Sequence, residues 1–350
     1  MTDAEPAQVW ALDPPRAYPQ SPLRAAFRQL PGDFRVVEEL SYDLEGDGPH
    51  IWCFVEKTNA NTGWVANALA RAHQVPAREV GYAGRKDRHA VTQQWFSIHA
   101  PQADVSSTAQ IATDSFRVLH ATRHRRKLQR GGLRGNRFVI LARDCTGDRD
   151  AWRAQLQTVR ERGVPNYFGP QRFGRDGANV VRAVQMLRDR PSGRARPKDR
   201  GMLFSAARAM VFNHIVGERV RAATWDRCVS GDLLIPNGRH GVFRAADAGP
   251  QLESRLRALD VHPSGVLPGV DAMGCDNDAG VIEQRVLNAY PALCEGLSHY
   301  RVAGGRRALR LRVDDLETRE TEDGIELRFA LTRGAFATVV LRELFAPSPQ

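Results

Sequence analysis

Extended, strand-like runs lie near both ends of this chain, and the residues between them have a different texture. Toward the N-terminus, FRVVEEL (34–40) and HIWCFVEKT (50–58) flank the turn EGDGP. AVTQQWFSIHA (90–100), FRVLHATRHR (116–125) and NRFVILARDC (136–145) follow. Near the C-terminus, RALRLRVDDL (307–316) and IELRFAL (325–331) read as a hairpin across the turn EDG, and AFATVVLREL (335–344) as a closing helix. A sheet fed from both ends is completed only when the last segment returns to it. The chain is therefore expected to hold one domain interrupted by an insertion.

The intervening segment supports that division. NTGWVANALARAHQV (61–75), with Asn61 or Thr62 as N-cap, and DRDAWRAQLQTVRERG (148–163), ending on Gly163, have helical spacing. After Gly163 the chain turns rich in Gly, Pro, Asn and aromatics through VPNYFGPQRFGRDGAN (164–179). One helix, a polar linker (188–200) and the long apolar-faced helix MLFSAARAMVFNHIVGERVRAA (202–223) come next. Residues 225–305 show many turns and little periodicity, and CDNDAG (275–280) reads as a turn.

With 350 residues, two domains are affordable. The formal charge of +10 directs attention to polyanions, above all nucleic acid, because guanidinium forks bind phosphate and stack on bases. The five cysteines, Cys53, Cys145, Cys228, Cys275 and Cys294, are scattered and never in C-x-x-C spacing, which argues against a disulfide framework or a zinc ribbon. The first twenty residues hold no apolar run, and no stretch approaches the ~20 apolar residues of a membrane span. A cytoplasmic protein with no membrane partner is expected. Nothing demands a dimer, so a monomer is expected.

Phosphate-loop, dinucleotide, zincin and serine-hydrolase motifs are all missing. No metal site is expected. The acids at 314, 315, 317, 320, 322 and 323 read as a solvated sheet edge rather than a nuclease cluster. The segment GYAGRKDRHAVTQQWFSI (81–98) is different: its one acid, Asp87, stands among Arg85, Lys86, Arg88 and His89. Cations close by favour the ionised carboxylate, which suits nucleophilic attack or base catalysis and not general-acid work. The same cations would draw phosphate. An ion-pair loop is the bland reading of the same residues. Arg123, Arg125, Arg126, Lys127, Arg130 and Arg134 crowd the loop 123–135, read as an RNA-backbone contact with a solvated loop as its equal competitor. Asn136 and Phe138 share one side of a strand, an amide beside a ring that could hold a flipped base. In NYFGPQRFG, Tyr167, Phe168, Arg172 and Phe173 form an aromatic–arginine mix that suits stacking on bases or a packed turn.

Taken in order, PGDFRVVEEL, AGRKDRHAVTQQWF, GNRF, VPNYFGPQRFG and GAFATVVLREL resemble the tRNA pseudouridine synthase D family, over about residues 28–345. The resemblance implies an α+β fold, with a pseudouridine synthase catalytic domain around a central antiparallel sheet (1–162 plus 306–350), interrupted by a family-specific mixed α/β domain (163–305). It implies isomerisation of uridine 13 of tRNA without cofactor or metal, with tRNA as partner. Asp87 would be the catalytic aspartate, and Phe34, Asn136 and Phe336 substrate-pocket residues, with Phe138, Arg28 and Lys86 beside them. Arg28 stands where the family is expected to favour lysine. A non-catalytic RNA-binding protein or RNA chaperone, and a metal-dependent nuclease, are the competing classes.

Overall fold

The computed structural model describes residues 12–190, 199–239 and 241–346. The chain first lays down β1 (Leu23–Ala26), β2 (Phe34–Glu39), β3 (His50–Thr58), β4 (Val80–Tyr82), β5 (Val91–His99), β6 (Phe116–His124) and β7 (Gly135–Gly147). It then forms β8 (Val164–Pro165), β9 (Leu233–Pro236), β10 (Phe243–Arg244), β11 (Val261–Leu267), β12 (Gly305–Ala308) and β13 (Arg310–Leu311), and returns for β14 (Asp314–Thr321) and β15 (Gly324–Thr332). Two compact units result: residues 24–147 with 314–334, and residues up to 23 with 148–313 and 335–346. The second unit thus takes in the helices Arg149–Arg162 and Ala337–Leu344, which the expected division assigned to the catalytic domain.

The first unit is built on a nine-stranded sheet in the order β14-β15-β7-β2-β5-β3-β6, with β1 on β7 and β4 on β5. The expected antiparallel sheet is mixed in one place, because β2 and β5 run parallel. Alternation explains the core: Ile51, Cys53 and Val55 of β3 point to one face, where they meet Val65 and Leu69 of the helix Thr62–Ala72 and Phe96 and Ile98 of β5. Burying each such side chain is worth about 1.5–3 kcal/mol. Gly81 is required by close approach: a Cβ there would stand 2.4 Å from the Leu128 carbonyl oxygen and 2.7 Å from Ser97 Oγ.

The hairpin across residues 322–323 forms, but its first strand begins at Asp314 and not at residue 307. Residues 305–311 instead pair in the other unit, β12 with β11 and β13 with β8. The alternation L309-x-L311-x-V313 continues across that boundary, so periodicity alone could not divide it. Strand β14 is the sheet edge, as its run of acids suggested.

The second unit centres on the helix Arg200–Arg221, with buried Leu203, Met210, Phe212 and Ile215, packed on the helix Ala178–Asp189 and on β11. Gly163 ends the helix Arg149–Arg162 at φ 74°, a left-handed region that favours glycine. Residues 225–305 are more regular than expected, with a four-stranded sheet β10-β9-β11-β12 and helices Leu252–Arg257, Asn277–Asn288 and Pro291–His299. CDNDAG is a helix start and not a free turn, since Asn277 begins the helix and Asp276 precedes it as N-cap. Most of the polar linker, residues 191–198, lies outside the described residues.

Candidate active site

Asp87 sits in the loop between β4 and β5, and its nearest cation is not a sequence neighbour. Arg28 Nη1 donates to Asp87 Oδ2 at 2.6 Å from 59 positions away. Arg28 is itself left-handed at φ 60°, and its guanidinium lies 4.2 Å from the centre of the Phe34 ring. The other carboxylate oxygen, Oδ1, accepts from the His89 backbone N–H at 3.1 Å. Asp87 is thus held by one remote arginine and one local amide, and not by the cationic side chains adjacent to it in sequence. Two carboxylate oxygens tied in this way fix the rotamer while the group stays one-third exposed, 33% by side-chain area.

Lys86 points elsewhere. Its Nζ makes an ion pair with Glu38 Oε1 at 2.6 Å and donates to Asn136 Oδ1 at 2.8 Å. Glu38 and Asn136 face each other in the β2–β7 register, so the sheet itself sets this junction. Glu38 is fully buried and also accepts from the Trp95 N–H at 2.9 Å. Phe34 and Phe138 are buried in the same layer, edge to face at 6.2 Å, and Phe138 stacks on Phe329 at 5.3 Å. Phe336 belongs to the other unit, where it packs at 5.9 Å from Phe168 as N-cap of the helix Ala337–Leu344.

Three supports of this loop went unread in the sequence. Thr62 was expected at the start of its helix, and there its hydroxyl accepts from the Lys86 N–H at 3.0 Å and donates to Gln94 Oε1 at 2.9 Å. Asn61 is the N-cap, without a side-chain capping bond. Lys57, fully buried at the end of β3, donates from Nζ to the Asp87 carbonyl oxygen at 2.8 Å. Glu38 is the third. A signal for two of them existed. Phe34-x-Val36-x-Glu38 and Ile51-x-Cys53-x-Val55-x-Lys57 each carry a charge into the next position of a core-facing stripe.

Burial drives the Lys57 pKa down from 10.5 to about 8, against the attraction of Asp87 and with the repulsion of Lys86. The unfolded chain then holds the extra proton between those two values, so this group makes the fold more stable as pH rises from about 8 toward 10.5. Lys57→Met is expected to flatten that rise, as read from urea midpoints at the two ends of the window.

The basic loop divides. Arg123 donates to the carbonyls of Ala100, Ala103 and Gly48. Arg125 pairs with Asp47 at 2.9 Å, and Lys127 donates to the Arg78 carbonyl. Among the described residues the exposed side chains of Arg126, Arg130 and Arg134 have no such partner. No group of three or more metal-ligating side chains occurs among the described residues, and no described helix is long and apolar enough to cross a membrane.

The family model of tRNA pseudouridine synthase D matches residues 17–190 and 194–344. Among similar proteins, the tRNA pseudouridine synthase D of Nitrosococcus oceani is 42% identical over 338 residues, 95% of this chain and 92% of the relative. That of Methylococcus capsulatus is 42% identical over 340 residues, 97% and 96% of the two chains. A crystal structure from Methanosarcina mazei bearing the same synthase D designation superposes with a TM-score of 0.72 at 20% identity, covering 96% of each chain, which supports the α+β fold. With the family model spanning nearly the whole sequence and close relatives matching end to end, the chain belongs to the tRNA pseudouridine synthase D family.

Proposed function

We propose that this protein isomerises uridine 13 of tRNA to pseudouridine, with Asp87 as the catalytic carboxylate acting as nucleophile or base. The observation that carries the reading is the fixed, part-exposed Asp87 carboxylate, oriented by Arg28 and His89 on a loop anchored through Lys57, Lys86 and Thr62. The target uridine leaves its stack at a cost of a few kcal/mol. Asp87 promotes breakage of the C1′–N1 bond. The uracil turns, C1′ bonds to C5, the C5 proton departs and N1 gains one. The exchange is redox-neutral and calls for no cofactor or metal.

Arg28, Phe34, Lys86, Asn136 and Phe138 are proposed to shape the substrate side of this site. Phe336 is proposed to stack on the same substrate, since one ring–base contact is worth about 1–3 kcal/mol. Residues 1–162 with 306–350 are read as the catalytic domain, and 163–305 as the family-specific insertion. The protein is read as a monomer working in the cytoplasm. Incubation with unmodified tRNA and chemical mapping of pseudouridine tests the reading: product at position 13 is expected. Binding without product, indifferent to Asp87, would leave a non-catalytic RNA binder.

The loop arginines give a second test. Neutralising Arg126, Arg130 and Arg134 together is expected to flatten the slope of log K against log salt for tRNA by about 2–3, at roughly 0.9 for each phosphate no longer neutralised. Neutralising Arg123 and Arg125, which are engaged within the protein, is expected to change it far less.

A further inference from the structure

The loop that carries Asp87 has little main-chain support. Among the described residues, no hydrogen bond between main-chain groups involves residues 84–89. Three buried side chains reach its main chain instead. Thr62 Oγ1 accepts from the Lys86 N–H, Gln94 Nε2 donates to the Gly84 carbonyl oxygen at 3.3 Å, and Lys57 Nζ donates to the Asp87 carbonyl oxygen at 2.8 Å. Thr62 and Gln94 are neutral and bond to each other at 2.9 Å. Lys57 is the exception, an ammonium with no exposed surface.

That ammonium is poorly compensated. It has three N–H groups to place. Among the described residues, the Asp87 carbonyl oxygen is its one acceptor, and no carboxylate stands within ion-pair distance. The Asp87 carboxylate is turned to Arg28, and Glu38 is taken by Lys86. The neighbouring strands give no help. In register with Lys57 stand Thr92 of β5 and Phe116 of β6, and the Thr92 hydroxyl is itself buried without a hydrogen-bond partner. Burying a charge with so little around it costs stability. Gln94 shows that tethering this loop does not require one. A charge kept at such a cost beside a reactive carboxylate points to the chemistry.

On the reading of Asp87 as the catalytic carboxylate, we propose that Lys57 is its positioning residue. The buried ammonium draws the Asp87 main chain onto the end of β3 and so aims the carboxylate. The reaction runs at full rate only while Lys57 carries its charge. A charged donor grips a carbonyl more firmly than a neutral amine. A reacting group displaced by about 1 Å loses about a hundredfold in rate. Lys57 has no surface for RNA to touch, so its effect falls on the chemical step and not on binding.

Single-turnover rates with saturating enzyme, followed against pH, test this. Burial lowers the Lys57 pKa to about 8; of the charged groups acting on it, Asp87 favours the ammonium and Lys86 opposes it. The wild-type rate is therefore expected to fall about tenfold or more between pH 7 and pH 9.5, centred near 8. Over that window the same group makes the fold more stable, so its titration does not unfold the chain.

Lys57→Met is expected to be about 10–100-fold slower at pH 7 and to lose the fall near 8. Its tRNA affinity should be unchanged, and its urea midpoint at pH 7 no lower than wild type. Any fall that belongs to the uridine itself persists in Lys57→Met, so the difference between the two profiles belongs to Lys57. Lys57→Arg, whose charge does not titrate in this range, is expected to keep more of the rate and also to lose the fall. It serves if Lys57→Met does not fold.

A wild-type rate in Lys57→Met, or profiles of one shape in wild type and Lys57→Met, would overturn the assignment and leave Asp87 standing. A fall near pH 8 retained by Lys57→Arg would do the same. So would a rate loss in Lys57→Met matched by a lower urea midpoint and weaker tRNA binding, which would make Lys57 a structural residue. No pseudouridine from the wild-type chain, or wild-type turnover by Asp87→Asn, would fell the catalytic reading and the role of Lys57 with it.

Discussion

Asp87→Asn is expected to slow formation of pseudouridine by about a thousandfold or more, within the range that a positioned acid–base group contributes and toward its upper end for a nucleophile. The fold should survive. The Arg28–Asp87 pair is about one-third exposed on both sides, and such pairs contribute roughly 0–1 kcal/mol. Asparagine keeps an oxygen for Arg28 and loses the charge and the acceptor that meets the His89 N–H. Single-turnover rates with saturating enzyme, set beside tRNA affinity and thermal midpoint, separate chemistry from binding and folding. A rate within a few-fold of wild type would remove Asp87 from the mechanism.

Glu38→Gln is expected to carry the largest stability effect, about 3–5 kcal/mol, because it leaves the Lys86 ammonium buried without its anion. The pair stands at 2.6 Å with side-chain exposures of 9% for Lys86 and 0% for Glu38, so solvent cannot screen the loss. Activity should fall with it, since Lys86 adjoins Asp87 in the chain and joins β2 to β7 through Asn136. Adding Lys86→Met to Glu38→Gln should recover part of the stability, because the orphaned charge is then gone. Urea midpoints of the two single variants and the double variant check this. Strictly additive losses would show that the pair is not a coupled unit.

Much of the sheet was legible because its strands alternate plainly. HIWCFVEKT is β3 from end to end, and FRVVEEL differs from β2 by one residue. The parallel β2–β5 pair was not legible, since pairing direction is decided by how the intervening chain crosses and not by local pattern. The hairpin at 322–323 was read correctly, but its first strand was begun too early because one apolar rhythm runs from β12 through β14 while serving different sheets. In the site, Asp87 stood out by its charge context. The cation that holds it did not, because Arg28 is 59 positions away and no spacing rule reaches that far. Long separations likewise hide the Glu38–Lys86–Asn136 junction, which exists only once β2, β7 and the loop before β5 are assembled. Arg123 and Arg125 looked like RNA contacts by composition, yet their carbonyl and carboxylate partners lie in loops that the sequence could not place beside them.

Under the proposed mechanism Asp87 drives exchange of the C1′–N1 bond of uridine 13 for a C1′–C5 bond. That exchange expels the hydrogen on C5, so tRNA tritiated at C5 of uridine 13 reports it directly. Release of one tritium per tRNA by the wild-type chain is expected, and essentially none by Asp87→Asn. Equal release by both proteins, or retention of tritium at position 13 under saturating wild-type enzyme, would contradict it.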